Sequence, residues 1–444
     1  MKLNRLIWTI ALGVGLFSCS NEEPEVNGTP DEAPAKETTY VAFTLNLSDT
    51  KSRATTNGTD VEQNIASAYV MMTDASGTIE RVVSTANPGT GVNADKGYYV
   101  FQTSPGNHYF YAVVNPDAAP TANTNITTYF NTGVPLNVAA IADNSGNGYF
   151  MMASDSKLTV SAEDNVSEAE ALAGMANSFS IQVERTAAKV TMTCESSTLT
   201  NATNSAGGTV TAPQYYLKGG ATKSYRMATS AAEIDGNQWT YTTTDATGVY
   251  VKQTPDEADG YTKASPVYCL ENLHPSGNYY QRNATYLTLR TVFVPAQVVD
   301  CNSPETNGAL TINDNTSKDG ESFYVVKSGA LSGNYLLKAD LEAYQAAHSG
   351  SYPNGVTTIS QEYVDGVCWF GPIWVGQAST DLQDAPVARN TWYNLHITGI
   401  VLPGDPTEPT VDTAGDTPLA PPTNVAFTLS IKDWSLLERP VELQ

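Results

Sequence analysis

The sequence predicts an all-β protein, and three observations lead to that prediction. Charged residues make up only 16% of the 444 residues. Short runs rich in Val, Tyr and Thr are interrupted by Gly, Asn and Pro, which is the residue usage of strands and turns. These runs recur at the spacing typical of β-sandwiches. A chain of this length is long enough for two domains, each with its own core.

The first residues have the pattern of an export signal. Lys2 and Arg5 precede an apolar stretch, 6–17, that is too short to span a bilayer as a mature helix. The stretch ends in Leu16-Phe17-Ser18-Cys19, which resembles a bacterial lipoprotein box with residues 1–18 as signal peptide and Cys19 as the lipidated residue. The acidic residues that follow are similar to the export tag of surface lipoproteins in Bacteroidales-type bacteria. The alternative is a cleaved secretory signal in which Cys19 occurs by chance.

Two segments near opposite ends of the chain share the pentapeptide Val-Ala-Phe-Thr-Leu. It occupies residues 41–45 and returns at residues 425–429. Apolar and polar residues alternate in the same phase in both segments, which is the mark of a half-buried strand. The apolar positions are Val41, Phe43, Leu45 and Leu47 in the first segment and Val425, Phe427, Leu429 and Ile431 in the second.

Two strands with the same apolar face could fill the same groove. We therefore interpret the first strand as a temporary plug and the second as its replacement, supplied by another copy of the protein. The alternative is that both are ordinary strands, matched by chance in a chain rich in Ala, Thr and Val.

A candidate proteolytic site lies just after the first strand. Residues 48–60 are all polar or small, so we expect an exposed loop there. Exposed loops of small polar residues are where proteases cut. Arg53 is one of two basic residues in this loop, and a trypsin-like protease would cut between Arg53 and Ala54. The default alternative is that Arg53 is simply a solvated loop residue.

The remaining segments define a domain plan. Residues 19–53 form a propeptide with a tether and the plug strand, residues 54–183 an N-terminal sandwich, and residues 184–402 a C-terminal sandwich. In the N-terminal part, strands are predicted at 66–73, 98–103, 109–115, 148–154, 157–160 and 179–183, with a hairpin turn at 104–107 and a short helix within 125–143. In the C-terminal part, strands are predicted at 267–272, 286–294, 323–326 and 393–400, and an amphipathic helix at 336–347.

Residues 403–444 are predicted to form an arm and a donor strand. Six prolines between residues 403 and 422 favour an extended, polyproline-like geometry. At roughly 3 Å per residue, such a segment could reach on the order of 60 Å. That length suits delivery of the last strand to a neighbouring molecule.

Charge and motif content exclude several function classes. The formal net charge is −23, so nucleic acid is excluded as a partner. The chain shows no pattern for a catalytic triad, a carboxylate pair, a phosphate loop, a zinc site or a calcium loop, so neither an enzyme nor a cofactor is predicted. After Cys19, the cysteines are Cys194, Cys269, Cys301 and Cys368, and they leave three disulfide pairings or free thiols open.

Several stretches, taken in order, resemble the FimA-like fimbrillins (FimA/Mfa family), the subunits of Bacteroidales type V pili. The match is carried by Leu16–Cys19, Arg53-Ala54, Tyr111–Asn115, Phe150–Ser154, Arg185–Val190, Leu270–Asn272, Arg389–Tyr393 and the closing strand that ends near Trp434. The tail and the proline-rich arm are most similar to the shaft subunits.

The resemblance implies both a fold and a mechanism. The fold would be two tandem transthyretin-like β-sandwiches, exported as a lipoprotein of the outer membrane and then present in a surface fimbrium. An Arg- or Lys-specific protease would cut after Arg53, and Val41, Phe43, Leu45 and Leu47 would leave. The strand with Val425, Phe427, Leu429 and Ile431 of the next subunit would then fill the groove. The partners would be further copies of the chain, tip and anchor subunits, the protease, and, before maturation, the outer membrane.

Two alternatives stay open at this stage. One is a monomeric surface lipoprotein that binds glycans through exposed aromatic residues such as Trp239, Trp369 and Trp374. The other is a tip or anchor fimbrillin, although a tip subunit would not need a donating C-terminal strand.

Overall fold

The computed structural model describes residues 38–47, 55–57, 62, 65–85, 99–131, 150–194, 207–221, 224–227, 256–257, 266–317, 320–377, 383–422 and 425–435. These parts of the chain are mostly β-strand with a few short helices, which confirms the all-β class. Cys19, Arg53, Ala54 and Trp239 lie outside the described residues. The domain boundaries drawn from the sequence stay predictions.

The first sheet contains eight strands from the N-terminal half of the chain. They are β1 (Thr39–Leu47), β3 (Ala68–Thr73), β4 (Ile79–Thr85), β5 (Tyr99–Thr103), β6 (Gly106–Val114), β7 (Met152–Ser154), β8 (Leu158–Ala162) and β9 (Ser178–Arg185). The order across the sheet is β4-β3-β6-β7-β9-β1-β5, and β8 also pairs with β6. Strand β1 therefore has a hydrogen-bonded neighbour on each side, antiparallel β5 and parallel β9.

The predicted hairpin at residues 104–107 is wrong. Strand β5 pairs with β1, whereas β6 pairs with β3 and β8. Both edges of β6 are thus occupied, and the turn carries the chain to a position in the same sheet that is not next to β5. Phe101 and Phe110 consequently meet face to edge across the core, with ring centroids 5.4 Å apart.

A second sheet collects strands that are distant in sequence. It contains β2 (Thr55–Asn57), β10 (Ala187–Cys194), β12 (Asp256–Glu257), β13 (Val267–Leu270), β21 (Thr391–Ile400) and β22 (Val425–Ser435). Their order is β12-β10-β21-β22-β2, and β13 also pairs with β10. The chain passes from the first sheet to the second within one residue, Thr186, close to the boundary predicted near residue 183.

The remaining strands form smaller sheets. Strands β11 (Gly208–Lys218), β14 (Tyr286–Pro295) and β20 (Val367–Trp374) make a three-stranded sheet. Strands β15 (Gln297–Val299) and β16 (Ile312–Asp314) pair with each other, and β17 (Phe323–Ser328) lies between β18 (Tyr335–Leu337) and β19 (Thr358–Ile359).

Three short α-helices accompany the sheets in the described parts of the chain. They are α1 (Ile126–Asn131), α2 (Glu168–Leu172) and α3 (Lys338–Ala347), and a 3₁₀ turn spans Val364–Gly366. Helices α1 and α3 confirm the two predicted helices. Helix α2 begins with a capping box in which Ser167 and Glu170 satisfy each other's backbone amides.

The two largest apolar clusters belong to the two main sheets. Val41, Phe43, Phe101 and Phe110 are central to the first cluster. The second cluster packs the faces of the second sheet and the three-stranded sheet together, with Leu289, Phe370 and Leu395 among its fully buried members.

The proline-rich segment does not project as a free arm. Asp405 and Trp369 exchange backbone hydrogen bonds of 2.7 and 2.8 Å, so the segment pairs with the edge of β20. Farther along, the indole Nε1 of Trp374 donates to the carbonyl of Ala420 at 2.7 Å. The segment therefore lies along its own molecule and returns the last strand to β21. The prediction that this length suits delivery of the last strand to a neighbouring molecule stays a prediction, because proline content does not determine what the segment contacts at rest.

In the parts of the chain that the structure describes, no helix combines the length and the apolar character needed to cross a membrane.

Candidate functional site

Strand β1 fills a groove in the first sheet with its shared pentapeptide. Val41, Ala42 and Phe43 are fully buried. Val41 and Phe43 join the first core, where the Phe43 ring lies 4.3 Å from the ring of Phe110 between centroids. Leu45 is half-buried against the same core, and the side chain of Leu47 lies outside the described part. The sequence pattern predicted this inward set of side chains.

The opposite face of β1 is covered by a second element. Ala42 belongs to a small apolar cluster with Val166 and with Ala171 of helix α2. Interiors are close-packed, so a larger side chain at this position would have to displace Val166 or Ala171. The alternation in the sequence gave no sign that this second face is buried.

A polar clamp holds the beginning of β1. The Thr39 hydroxyl donates to the carbonyl of Glu163 at 2.7 Å and accepts from the amide of Val166 at 3.1 Å. The Asn177 side-chain amide donates to the Thr39 hydroxyl and to the carbonyl of Tyr40, at 3.1 and 3.0 Å. Asn177 has a positive φ of 47°, a conformation that Asn tolerates better than most residues. Sequence reasoning missed this clamp, because single polar residues in loops carry no periodic signal.

The second copy of the pentapeptide, in β22, lies against β21 of its own molecule. Phe427 is opposite Ile397, and Leu429 is opposite Leu395. Val425 is 9% exposed, while Phe427 and Leu429 are half-buried against the second core. Ile431 pairs with Tyr393 through its backbone, and its side chain lies outside the described part.

The two pentapeptides therefore present the same residues inward, but they differ in how many neighbouring strands they pair with. Within the described residues, β22 pairs along its other edge only at 433–435, where the short strand β2 runs parallel to it. Ala426 is exposed, whereas its counterpart Ala42 is fully buried. The exposed surroundings of Ala426 would tolerate a larger side chain. The buried position of Ala42, by contrast, suits a small one.

A buried cluster of charges lies where the chain changes sheets. The Glu62 carboxylate forms an ion pair with the Lys189 ammonium at 2.8 Å and accepts from the Tyr268 hydroxyl at 2.6 Å. The guanidinium of Arg185 donates to the Glu62 carbonyl at 3.3 Å. Burial lowers the pKa of Lys189, with the Glu62 carboxylate acting in the opposite direction. Glu62 thus fixes the chain shortly after the candidate cut position, and sequence reasoning missed it.

A second guanidinium completes this junction. The Arg389 side chain is 1% exposed and binds both carboxylate oxygens of Glu271, at 3.1 and 3.0 Å. It also donates to the carbonyls of Tyr225 and Arg226, at 2.9 and 3.1 Å. Nearby, the amide of Thr186 donates to the carbonyl of Met151 at 3.0 Å. Four of the stretches quoted for the family resemblance therefore meet here: Phe150–Ser154, Arg185–Val190, Leu270–Asn272 and Arg389–Tyr393.

The aromatic residues considered for glycan binding are placed differently from the expectation. Trp374 is fully buried, so its predicted exposure is wrong. Its ring lies beneath the proline-rich segment, where the indole is hydrogen-bonded to Ala420. Trp369 is half-buried, with its ring 5.5 Å from that of Tyr216 between centroids.

The cysteines whose side chains are described are free thiols. Cys269, Cys301 and Cys368 are all buried and unpaired with one another. Burial raises the pKa of Cys269 and Cys301 to about 12 and that of Cys368 to about 11. These three side chains therefore serve as small apolar groups in the core.

Several solved structures have a similar chain trace. A fimbrilin from Porphyromonas gingivalis is 13% identical, with a TM-score of 0.45 over 90% of this chain and 99% of that one. The tip fimbrial protein Mfa3 from the same organism is 14% identical, with a TM-score of 0.42 over 89% of this chain and 100% of that one. A suggested cell adhesion protein from Parabacteroides distasonis is 12% identical, with a TM-score of 0.46 over 90% and 100% of the two chains.

At these identities and TM-scores the likeness carries no assignment of function. No protein-family model matches this sequence, and no curated protein matches it either.

Proposed function

We propose that this chain is a structural subunit of a surface fimbria that polymerises by donor-strand exchange and supports adhesion. Proteolysis after Arg53 releases the strand β1, and strand β22 of another copy takes its place in the first sheet. The observation that supports this most directly is the pair of pentapeptides. One copy is buried between two strands, and its twin, with the same inward residues, rests at the margin of the second sheet.

Strand addition supplies the binding energy. Backbone hydrogen bonds to β5 and β9 form the ladder, and alternate side chains fill pockets in the core. Full burial of an apolar side chain of this size is worth roughly 1.5–3 kcal/mol relative to exposure. Phe427 is half-buried at rest, so it gains burial when it takes the position in which Phe43 is completely buried. This difference favours exchange over the resting arrangement.

The contact is made between different surfaces of the two partners, a groove on one copy and a strand on the next. Such a head-to-tail interface repeats without closing and generates an open filament. Further copies of the chain are therefore the main partners, with tip and anchor subunits at the ends. Export as a lipoprotein through Cys19 would hold the uncut precursor at the outer membrane until an Arg- or Lys-specific protease acts.

Digestion of the purified full chain tests the proposal. A trypsin-like protease should yield a species that begins at Ala54, followed by a ladder of oligomers on native electrophoresis. Because a trypsin-like protease also cuts after Lys, Arg53→Ala in a chain that carries Lys51→Ala as well should abolish both, whereas the matched control Lys51→Ala alone should be cut and assemble. A cut product with a free groove that stays monomeric would contradict the proposal.

A second substitution separates folding from assembly. Ala426→Leu alters an exposed position at rest, so the melting temperature of the uncut chain should stay within about 1 °C, because surface substitutions are usually close to neutral. In the groove the larger side chain would meet the space that Ala42 fills against Val166 and Ala171, and overpacking of this kind is destabilising. The cut variant should therefore fail to polymerise, while Ala426→Ser should assemble normally. Normal polymerisation of Ala426→Leu would show that β22 does not enter this groove.

A further inference from the structure

The short strand β2 connects the two ends of the proposed exchange. It begins two residues after Arg53 and runs parallel to the end of β22, with Thr55 opposite Asp433 and Asn57 opposite Ser435. Among the described residues, these three are the ones that pair with the outer edge of β22. The segment that follows the candidate cut thus contacts the same strand that is proposed to be donated.

In the uncut chain β2 is anchored on both sides. Seven residues separate its first residue from the end of β1, where Leu47 pairs with Val183 of β9. Four residues separate its last residue from Glu62, which is 2% exposed and bonded to Lys189 and Tyr268. A short strand tied at both ends has a high effective concentration at its pairing partner, and the loss of one tether lowers that concentration.

We propose that β2 is a latch on β22 and that cleavage after Arg53 weakens it. Water adds across the Arg53–Ala54 peptide bond, leaving a carboxylate on Arg53 and an ammonium group on Ala54. After this step β2 is tied only through Glu62, and the end of β22 separates more easily. A single cut therefore prepares both functions of a subunit: it frees the strand that fills the groove, and it loosens the strand that will be donated. This inference rests on the proposed function, since β22 is taken to be the donor.

The latch gives the proposed polymer a defined order of events. A precursor with an intact loop holds its groove filled and its own β22 latched, so it can neither accept nor donate. Proteolysis changes both properties of the same molecule at once. Uncut precursors would therefore stay outside a growing filament, even when cut neighbours offer an open groove.

Hydrogen exchange measures the latch without relying on assembly. In the full-length Ala426→Leu chain, which is expected to stay monomeric, cleavage should speed amide exchange in 425–435 by about tenfold, the factor that corresponds to loss of one or two net backbone hydrogen bonds. Peptides from β14 should not change. Unchanged exchange in 425–435 after complete cleavage would overturn the latch.

A proline substitution supplies the matched test in the uncut chain. Thr56→Pro removes a backbone donor from β2 and disfavours strand pairing, so exchange in 425–435 should rise without any cleavage. Thr56→Val, which keeps the donor and suits a strand, should leave exchange unchanged. Equal exchange in the proline variant and the parent chain would also overturn the proposal.

Mixing an uncut variant with a cut one tests whether the latch prevents β22 from being donated. Arg53→Ala chains keep their own groove plugged, so they cannot accept a strand and could take part only as donors. Cut Ala426→Leu chains have a free groove but a donor strand that does not fit, so they could take part only as acceptors. We expect no heterodimer from this mixture, but a heterodimer when the donor carries Thr56→Pro as well. Donation by Arg53→Ala alone, or no donation by the double variant, would contradict the latch.

A synthetic peptide of residues 423–435 distinguishes these outcomes from failure of the proposed function itself. If the peptide binds the cut acceptor and the latch experiments fail, only the latch is wrong. If the peptide does not bind the cut acceptor, strand exchange itself is wrong, whatever the exchange rates of 425–435 show.

Discussion

Glu62 is a single residue whose burial ties a loop to the core. Its carboxylate lies beside the Lys189 ammonium, which in turn lies 4.2 Å above the centre of the Trp392 ring. Each charge would be costly to bury alone, and the pair is stable because each satisfies the other. The segment between the candidate cut and strand β3 is thereby fixed at one point.

Replacement of Glu62 by Gln should be strongly destabilising. The change leaves the Lys189 charge buried without its counter-charge, and breaking a buried pair in this way typically costs about 3–5 kcal/mol. Thermal unfolding should show a drop in melting temperature that is much larger than the drop for Glu80→Gln, a matched change at an exposed carboxylate. A double variant, Glu62→Gln with Lys189→Met, should recover part of the loss. Similar melting temperatures for the two single variants would contradict the assigned role of the pair.

At the same scale, the limits of sequence reasoning are visible in particular residues. Val41 and Phe43 were identified because the alternation of apolar and polar residues indicates which face of a strand is buried. Glu62 and Asn177 were missed because their partners are distant in sequence, as Lys189 and Thr39 are. From the sequence alone, a polar residue in a loop is expected to be exposed to solvent, and only the fold shows which residues it contacts.

Among the elements, the proline-rich segment behaves as a strap that is fastened at several points. The Glu408 carboxylate forms an ion pair with Lys218 at 2.6 Å. Asp416 pairs with Arg282 at 2.8 Å, and the amide of Gln281 donates to the carbonyl of Thr417 at 2.9 Å. The last of these contacts along the segment is at Ala420.

A tight turn within this strap has a pH dependence with a defined sign. Hydrogen bonds from the Thr417 hydroxyl and from the amides of Ala414 and Gly415 lower the pKa of Asp412 from 3.8 to about 2. Because the folded pKa lies below the unfolded value, the stabilisation is fully present above pH 3.8 and is lost as pH falls through 2.

We therefore expect amide exchange at Ala414 and Gly415, corrected for the intrinsic effect of pH, to increase as pH falls from 4 towards 2. Asp412→Asn should remove this dependence, while Asp416→Asn, a change at a neighbouring exposed carboxylate, should retain it. A flat profile in the parent chain would contradict the role of the Asp412 carboxylate.

Elements were predicted more reliably than their pairing. Helix α3 and strand β14 were recognised from periodicity. The turn at 104–107 was also recognised, but local turn chemistry indicates a change of direction and not which strand the next strand pairs with. The contacts of the strap were missed for a related reason, since its partners Trp369 and Trp374 lie elsewhere in the sequence.

At the scale of the whole molecule, the junction brings together stretches that are scattered along the sequence. Glu184, Glu271 and Arg389 lie far apart in the chain but meet around one buried network. Such residues have little freedom to change, because each one satisfies a buried partner. Sequence order alone indicated that they belong together, but it could not show that they are in contact.

Competition by the displaced strand is a further expectation for the assembled protein. A synthetic peptide of residues 39–47, added in excess to cut protein, should occupy the groove and shorten the ladder of oligomers. The same peptide with Phe43→Asp should have no effect, because the Phe43 position is enclosed by Phe101, Phe110 and Phe179. Native electrophoresis measures the effect. Equal inhibition by the two peptides, or by neither, would contradict occupation of this groove.

The position of β1 between two neighbours has a mechanical consequence for a filament built through it. A donor strand in that position is hydrogen-bonded to β5 on one edge and to β9 on the other. Tension along the filament would pull such a strand lengthwise, so both ladders would be loaded in shear and their bonds would have to rupture together. The same strand at a sheet margin could be peeled away one bond at a time. Seating the link inside the sheet would therefore give each joint of the fibre resistance to drag from flowing liquid.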